Sequence, residues 1–504
     1  VIAAIFYIFA HLSILQSVWP VHGTAASAGA LLLRDGVAFL AWLLVLPALR
    51  MLGYRGNYAV VALPIIIFFI ARPTLFQIFS DPVYQAGAKT RAEANTLKAE
   101  RSRLTTILRA YDEPRQEAVF QGPPPALPNP LRAAAGAASA EAAAERGQIT
   151  RLGTYLPVVI APLALLAAFA WSRRRGPMRL FREQRTIPYV ATMAVFLVLT
   201  LFFTARSTGK VAGTTPWELF LPIFVLVWAA TLAEDAYNLA RPGEVVAPRR
   251  VLGMLLYGAL PVVPFLIIRE LGLSVVLAGS LAVMLLVGTR RGWWAALMLG
   301  VWAVLVVIAF SVDQRSATRL ELAYHPYHDL ATMTPQQAEA WAAKLHQFKL
   351  FDANVLAGGI AGAGAGRGHP ETAPNAADDG FITSIAAQWG ILGAVAMVLV
   401  YTLFIVQMLG VAAREHGAFE RSLVSGLAML IAIPFWLAVL GGIRVIPLTG
   451  VAAAFAAHGG AKLLASAVAV GIVAGISHRR GEEERLAAPE LQPEGTPRAG
   501  VRIR

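Results

Sequence analysis

The feature that most constrains this chain is the recurrence of apolar runs, each about 20 residues long and almost free of charge. In hydrocarbon every backbone N–H and C=O must be satisfied within the protein, which leaves helices or closed barrels. A barrel would alternate apolar and polar residues, and these runs do not. The chain is therefore expected to be all-α, a polytopic membrane protein with about twelve transmembrane helices. Composition agrees: 57% of residues are hydrophobic and 14% charged, far too apolar for a soluble domain of this length. There is no cysteine, which excludes disulfides, thiol nucleophiles and cysteine metal sites.

Spans are predicted near 1–19, 36–52, 58–80, 153–172, 187–206, 216–236, 251–268, 271–289, 292–312, 381–410, 422–441 and 446–477. The first segment, Ile2 to Val18, reads as a membrane helix, with a signal anchor as the alternative. The net charge of +13 sits largely in short loops, where it reports orientation rather than nucleic-acid binding. Arg50 and Arg55, the run from Arg173 to Arg185, Arg241 with Arg249 and Arg250, Arg290 with Arg291, Arg414 with Arg421, and Arg479 with Arg480 all fall on one side if each span crosses once. By the positive-inside rule that side is the cytoplasm, so both termini are expected there, in a plasma (inner) membrane. Residues 81–152 and 313–378 are then long outer segments. The second holds a predicted helix, TPQQAEAWAAKLHQF, capped by Thr334 with Pro335 at its first position. The charged tail from Gly481 is expected to be disordered.

Candidate chemistry lies at outer helix ends. From Asn354 the chain passes through the glycine run Gly358 to Gly368, reaches Asp378 and Asp379, and re-enters an apolar helix at Phe381. The run is not a dinucleotide fingerprint, because no strand precedes it; its glycines let backbone turn or approach a neighbour. The aspartates suit a helix cap or a functional carboxylate at the aqueous end of that helix. Glu218 opens a span, Glu270 lies in a short outer turn, Arg444 precedes Ile446-Pro447-Leu448-Thr449-Gly450, and His458 and Lys462 are predicted within the last span. Glu218, Glu270, Asp379 and Arg444 all map to one leaflet, and such a convergence suits chemistry on a lipid-linked anionic substrate. No ligand spacing indicates a metal site.

Five motifs in order then resemble the SEDS (RodA/FtsW/SpoVE) family of shape, elongation, division and sporulation proteins. They are TPWELFLPIF from Thr215, RELGLSVVLAG from Arg269, HQFKLFDANVLAGGIAGAGAGRG, DDGFITSIAAQWGILG from Asp378, and VIPLTGVAAAFAAHGGAKLLA from Val445. The resemblance implies a ten-helix core preceded by about two added helices, with residues 1–57 the addition, 58–480 the family-like domain and 481–504 a cytoplasmic tail. It implies peptidoglycan glycan-strand polymerisation from lipid II at the outer membrane face, with a class B penicillin-binding protein as partner. A non-catalytic scaffold for that partner and a lipid-linked precursor transporter are the alternatives. The family's essential aspartate falls on Asp379, with Asp378 a rival, and its glutamates on Glu218 and Glu270. Arg444, Lys462 and Arg367 are candidates to meet the leaving pyrophosphate, with His458 beside them; no cofactor is demanded, and a divalent cation stays open. The sequence departs from the family at Leu221, where a lysine is expected one turn after the glutamate, at Ala387 and Gln388 in place of paired glutamates, and at His458 and Ala461 in place of tyrosine and serine.

Overall fold

The computed structural model describes residues 2–22, 25–80, 149–184, 186–204, 216–240, 253, 256–258, 260–267, 270–312, 324, 335–373 and 375–487. Every regular element among them is helical, as the unbroken apolar runs require. In chain order we number α1 Ile2–His22, α2 Ala25–Leu43, α3 Val45–Met51, α4 Ala59–Ser80, α5 Ile149–Ser172, α6 Arg175–Glu183, α7 Thr186–Thr204, α8 Leu221–Ala240, α9 Val263–Ile267, α10 Leu271–Thr289, α11 Gly292–Val312, α12 Pro335–Gly358, α13 Phe381–Arg414, α14 Ala418–Gly442 and α15 Gly460–Ala487. Seven helices among the described residues are long and apolar enough to cross a bilayer, and α5 joins α6 through a bend of 83°. Shorter apolar helices include Ile2–Gln16, Thr186–Thr200 and Gly292–Val307. The expected residues 81–148, the cap Thr334, and Arg185, Arg241, Arg249 and Arg250 lie outside the described residues.

The core is a bundle in which α15 lies along α5, α10 along α14, and α13 between α14, α12 and α4. A Cβ at Gly471 would meet the Leu165 carbonyl and one at Gly475 the Ser172 hydroxyl. Small residues there let the α15 and α5 backbones touch, the usual route to tight packing in lipid. Helices α1 and α2 pack on α4.

The basic loop residues gather at one end of this bundle. Arg173 donates to the Leu52 carbonyl at 3.1 Å, and the Arg55 amide donates to His478 Nδ1 at 3.1 Å. Arg175 pairs with Glu483, Arg479 with Glu420 at 3.7 Å, and the Arg182 guanidinium lies 5.9 Å from the Phe419 ring. The acidic candidates Glu218 and Asp379 sit where α8 and α13 begin, at the opposite end.

Three expectations need correction. The last span does not begin at 446: residues 443–459 are non-helical, and α15 starts at Gly460. Pro447 lacks the N–H that a helix needs, and Gly450 takes φ +74°. His458 therefore lies in an irregular strap rather than in a span. The helix at the far end continues past Gly481 to Ala487, because His478–Glu482 at 3.6 Å and Arg480–Glu484 at 2.9 Å are i,i+4 pairs that support it. The helix predicted over TPQQAEAWAAKLHQF runs on to Gly358, so the glycine run begins at its C-terminus.

Candidate functional site

The strap from 443 to 459 organises the acidic end of the bundle. The Arg444 amide donates to Gly441 O at 3.1 Å as the chain leaves α14. A Cβ at Gly272, two residues after Glu270, would meet Val451 and Thr449 of the strap. Tyr401 of α13 donates its hydroxyl to Ala454 O at 3.0 Å and stacks on Phe435 of α14 at 3.8 Å. The His458 amide donates to Ala377 O at 2.6 Å, two residues before Asp379. Two strap residues, Arg444 at φ +61° and Phe455 at φ +62°, hold the left-handed conformation that side chains resist. Such strain persists only where surrounding packing fixes it, and it clusters at functional sites.

Immediately after the strap, Lys462 Nζ lies 3.0 Å from Glu218 Oε1, with the two side chains 5% and 8% exposed. The Glu218 carboxylate is carried by the 3₁₀ turn Pro216–Leu219 that leads into α8. Among the described residues Lys462 Nζ has the Glu218 carboxylate as its ion-pair partner but no hydrogen bond of good geometry. A buried carboxylate and ammonium in a membrane bundle must pair, since either alone is heavily penalised.

Asp379 is buried, with 5% exposure, while Asp378 is half-buried. The carboxylate thus sits inside the protein, not at the aqueous helix end expected from sequence. Asp379 is not the helix cap either: Gly380 occupies that position. Its backbone is packed against α14, where a Cβ at Gly442 would lie 3.0 Å from Ile382 and 3.9 Å from Asp379 O. Ser384 donates to Ala376 O at 2.9 Å and fixes the turn that presents Asp379.

The glycine run seals this loop onto α13. At Gly390 (φ +70°) the helix is broken, and the freed backbone groups are taken up by the run. Gly364 N donates to Gln388 O at 2.9 Å, Ala363 N to Ala387 O at 3.3 Å, Ile391 N to Gly359 O at 2.9 Å and Leu392 N to Ile360 O at 3.2 Å. A Cβ at Gly390 would collide with Ile360 O and Gly362 N, so glycine is required there. The expected role of these glycines, close backbone approach, is what the structure contains.

The other predicted residues are more dispersed. Arg444 pairs with Asp352 of α12 at 2.7 Å, a partner that sequence reading did not identify. Burial pushes the Asp352 carboxyl up, against the downward pull of Arg444. Glu270 is half-buried as the N-cap of α10, and Arg367 is exposed on the glycine run. Gln388, where a glutamate was expected, accepts from Thr74 at 2.9 Å and bonds Gln77, which donates in turn to Gly368 O at 2.6 Å and Glu371 at 3.1 Å. Among the described residues no cluster of three His, Asp or Glu side chains has metal-binding geometry.

A family model described as "Cell cycle protein", for FtsW, RodA and SpoVE, matches residues 181–482. This chain belongs to the FtsW/RodA/SpoVE family. Over 210 residues it is 30% identical to the peptidoglycan glycosyltransferase RodA of Mycobacterium tuberculosis, covering 42% of each chain. Over 314 residues it is 25% identical to the probable peptidoglycan glycosyltransferase FtsW of Geobacter metallireducens, covering 59% of this chain and 79% of that one. The crystal structure of Thermus thermophilus RodA is similar at 16% identity and a TM-score of 0.41, over 67% of this chain and 91% of that chain. The chain spans 42% of the length of the RodA relatives it matches.

Family membership sharpens one departure. Leu221 stands where a lysine is expected one turn beyond Glu218, yet Glu218 has a lysine partner in Lys462 of α15.

Proposed function

We propose that this chain is a peptidoglycan glycosyltransferase that builds glycan strands from lipid II at the outer face of the plasma membrane. The observation that carries the reading is Asp379, held at the head of α13 against the strap that leads to Lys462, in a member of the FtsW/RodA/SpoVE family. The relatives named as peptidoglycan glycosyltransferases support it. Both termini are then cytoplasmic, with the basic end of the bundle inward.

In the reaction, the acceptor 4-hydroxyl oxygen attacks the donor anomeric carbon. Asp379 takes the hydroxyl proton, so it must come within hydrogen-bond reach of that oxygen. The bond from the anomeric carbon to the lipid pyrophosphate breaks, and its electron pair leaves with the pyrophosphate. Cationic groups then stabilise the departing charge, a role that suits Lys462, Arg444 and Arg367. Because Lys462 is neutralised by Glu218, the pair orients substrate without an uncompensated charge in the resting bundle. His458 within the strap and Glu270 beside it complete the substrate-binding set.

A second reading is favoured by Gln388. The position expected to hold a glutamate is a neutral amide tied into the Thr74–Gln77 network, which suits a non-catalytic scaffold for a class B penicillin-binding protein. A lipid-linked precursor transporter is a third. The test is purified protein, with and without its penicillin-binding partner, assayed for polymer from lipid II. Polymer in either condition supports the enzyme; none with any partner supports the scaffold, or the transporter if lipid II crosses vesicle membranes.

A further inference from the structure

Several arginines of this chain are matched by carboxylates. Inside the bundle, Arg72 of α4 donates to Asp35 of α2 at 2.6 Å, with His11 of α1 3.2 Å from the same carboxylate. At the basic end, Arg175, Arg179, Arg479 and Arg480 face Glu483, Glu183, Glu420 and Glu484 in turn. Arg290 and Arg421, at the same end, are not matched. Among the described residues neither guanidinium has an ion pair or a hydrogen bond. Open solvent would satisfy an exposed arginine such as Arg290, but Arg421 is half-buried, and its Nε is enclosed and unbonded. The charged group whose field reaches Arg421 is Arg290, of the same sign.

The sequence builds this meeting of like charges. A Cβ at Gly288 would lie 2.8 Å from Ser422 Oγ, so glycine lets the last turn of α10 lie on the first turns of α14. Thr289 donates its hydroxyl to Leu285 O at 2.6 Å and accepts from the Arg291 amide at 3.3 Å, which holds the turn into α11. Between them Arg290 takes φ +55°, a left-handed conformation that a side chain resists. Ser422 is fully buried, and its hydroxyl, like Arg421 Nε, has no hydrogen-bond partner among the described residues. Mutual repulsion and an unspent buried donor both cost free energy, and an anion shared by the two guanidiniums relieves both.

The surroundings name the anion. Helices α10 and α14 are long and apolar enough to cross a bilayer, so a turn at their ends lies at the level of the lipid headgroups. Leu286, 43% exposed, lies one turn before Arg290, and Trp293, 52% exposed, lies three residues after it. The Trp293 ring is 3.7 Å from that of Trp294, and tryptophan is the side chain that favours this level. Two guanidiniums with an apolar flank fit a phosphodiester that carries acyl chains. We propose that Arg290 and Arg421 together bind the phosphate of an acidic phospholipid in the adjoining leaflet. This site lies at the opposite end of the bundle from Asp379, and its assignment is independent of the polymerase reading.

The test measures lipid binding to purified full-length protein by native mass spectrometry, with phosphatidylglycerol and phosphatidylcholine of equal chain length. Thermal unfolding in detergent is followed in parallel. Wild type should bind phosphatidylglycerol at least about tenfold more tightly, from charge-assisted bonds, and that lipid should raise its Tm. Arg290→Asn suits the left-handed turn and should fold. It and Arg421→Gln should each lose both the preference and the rise in Tm. If Arg421→Gln does not fold, Arg290→Asn decides alone. Arg485→Gln, which removes an exposed charge from the same end, should behave as wild type. Equal binding of the two lipids by wild type, or a preference kept in either folded variant, overturns the proposal. An equal loss in Arg485→Gln reveals diffuse surface charge and also overturns it. Displacement of phosphatidylglycerol by inorganic phosphate at equal concentration assigns the pair to a soluble anion and overturns the lipid assignment.

Discussion

Breaking the Glu218–Lys462 pair from one side should cost far more than removing both partners together. At 3.0 Å and an effective dielectric of about 20, the attraction is about 5.5 kcal/mol. Burial offsets much of this, since both charges left water to form the pair. Lys462→Met leaves a carboxylate on a side chain only 8% exposed without its cation, and the expected loss is about 3–5 kcal/mol. Glu218→Gln leaves the ammonium in the same position and should cost a similar amount. The double variant removes both charges and should lie much closer to wild type than either single variant, because no unpaired buried charge is left. The assay is equilibrium unfolding in bicelles, read as a double-mutant cycle. A coupling energy below about 0.5 kcal/mol, with the single costs simply adding, would refute the claim that these residues act as one unit.

Gly390→Ala should destabilise by about 1–3 kcal/mol, because the left-handed backbone and the Ile360 and Gly362 contacts forbid a Cβ; hydrogen exchange should show lost protection at Ala363 and Gly364. Glu415, just beyond α13, has its carboxyl pushed up to about 7 by burial, with Glu420 adding repulsion. A raised folded-state carboxyl means stability is fully present below the ordinary value of 4.5 and is lost as pH rises through about 7. The Tm of wild type should therefore fall across that window while Glu415→Gln stays flat; parallel curves would contradict this. With no native cysteine, single cysteines are clean topology probes: Thr372→Cys should react with an impermeant reagent in intact cells and His416→Cys only after lysis.

The fold class was legible because lipid allows so few solutions for long apolar runs. The role of the glycine run was legible too, since no strand precedes it and glycine is what close backbone contact demands. The strap was not: Val445 to Ala465 is apolar enough to read as a span, and only Pro447, Gly450 and the Gly459-Gly460 pair hinted that it is irregular. Arg72, Asp35 and His11 were missed for a different reason. A second span beginning at 36, as hydropathy suggests, leaves Asp35 in a loop, whereas α2 begins at Ala25 and buries it. The rule that intramembrane charges mark partners would have found Arg72, lying alone between Ala71 and Pro73 in an apolar helix. The Lys462–Glu218 pairing required tertiary contact across more than 200 residues, which no local pattern encodes.

The most direct test of the account is glycan polymer formed from lipid II, per unit of folded protein, by wild type, Asp379→Asn and Asp378→Asn. Asparagine keeps the size of the side chain but cannot take the proton, so Asp379→Asn should lose about a hundred- to ten-thousand-fold of activity. Its unfolding midpoint should shift little, and Asp378→Asn should retain most activity. Abolition at Asp378 with activity kept at Asp379 would move the base by one residue. Retention in both variants would contradict a carboxylate-based glycosyl transfer at this loop.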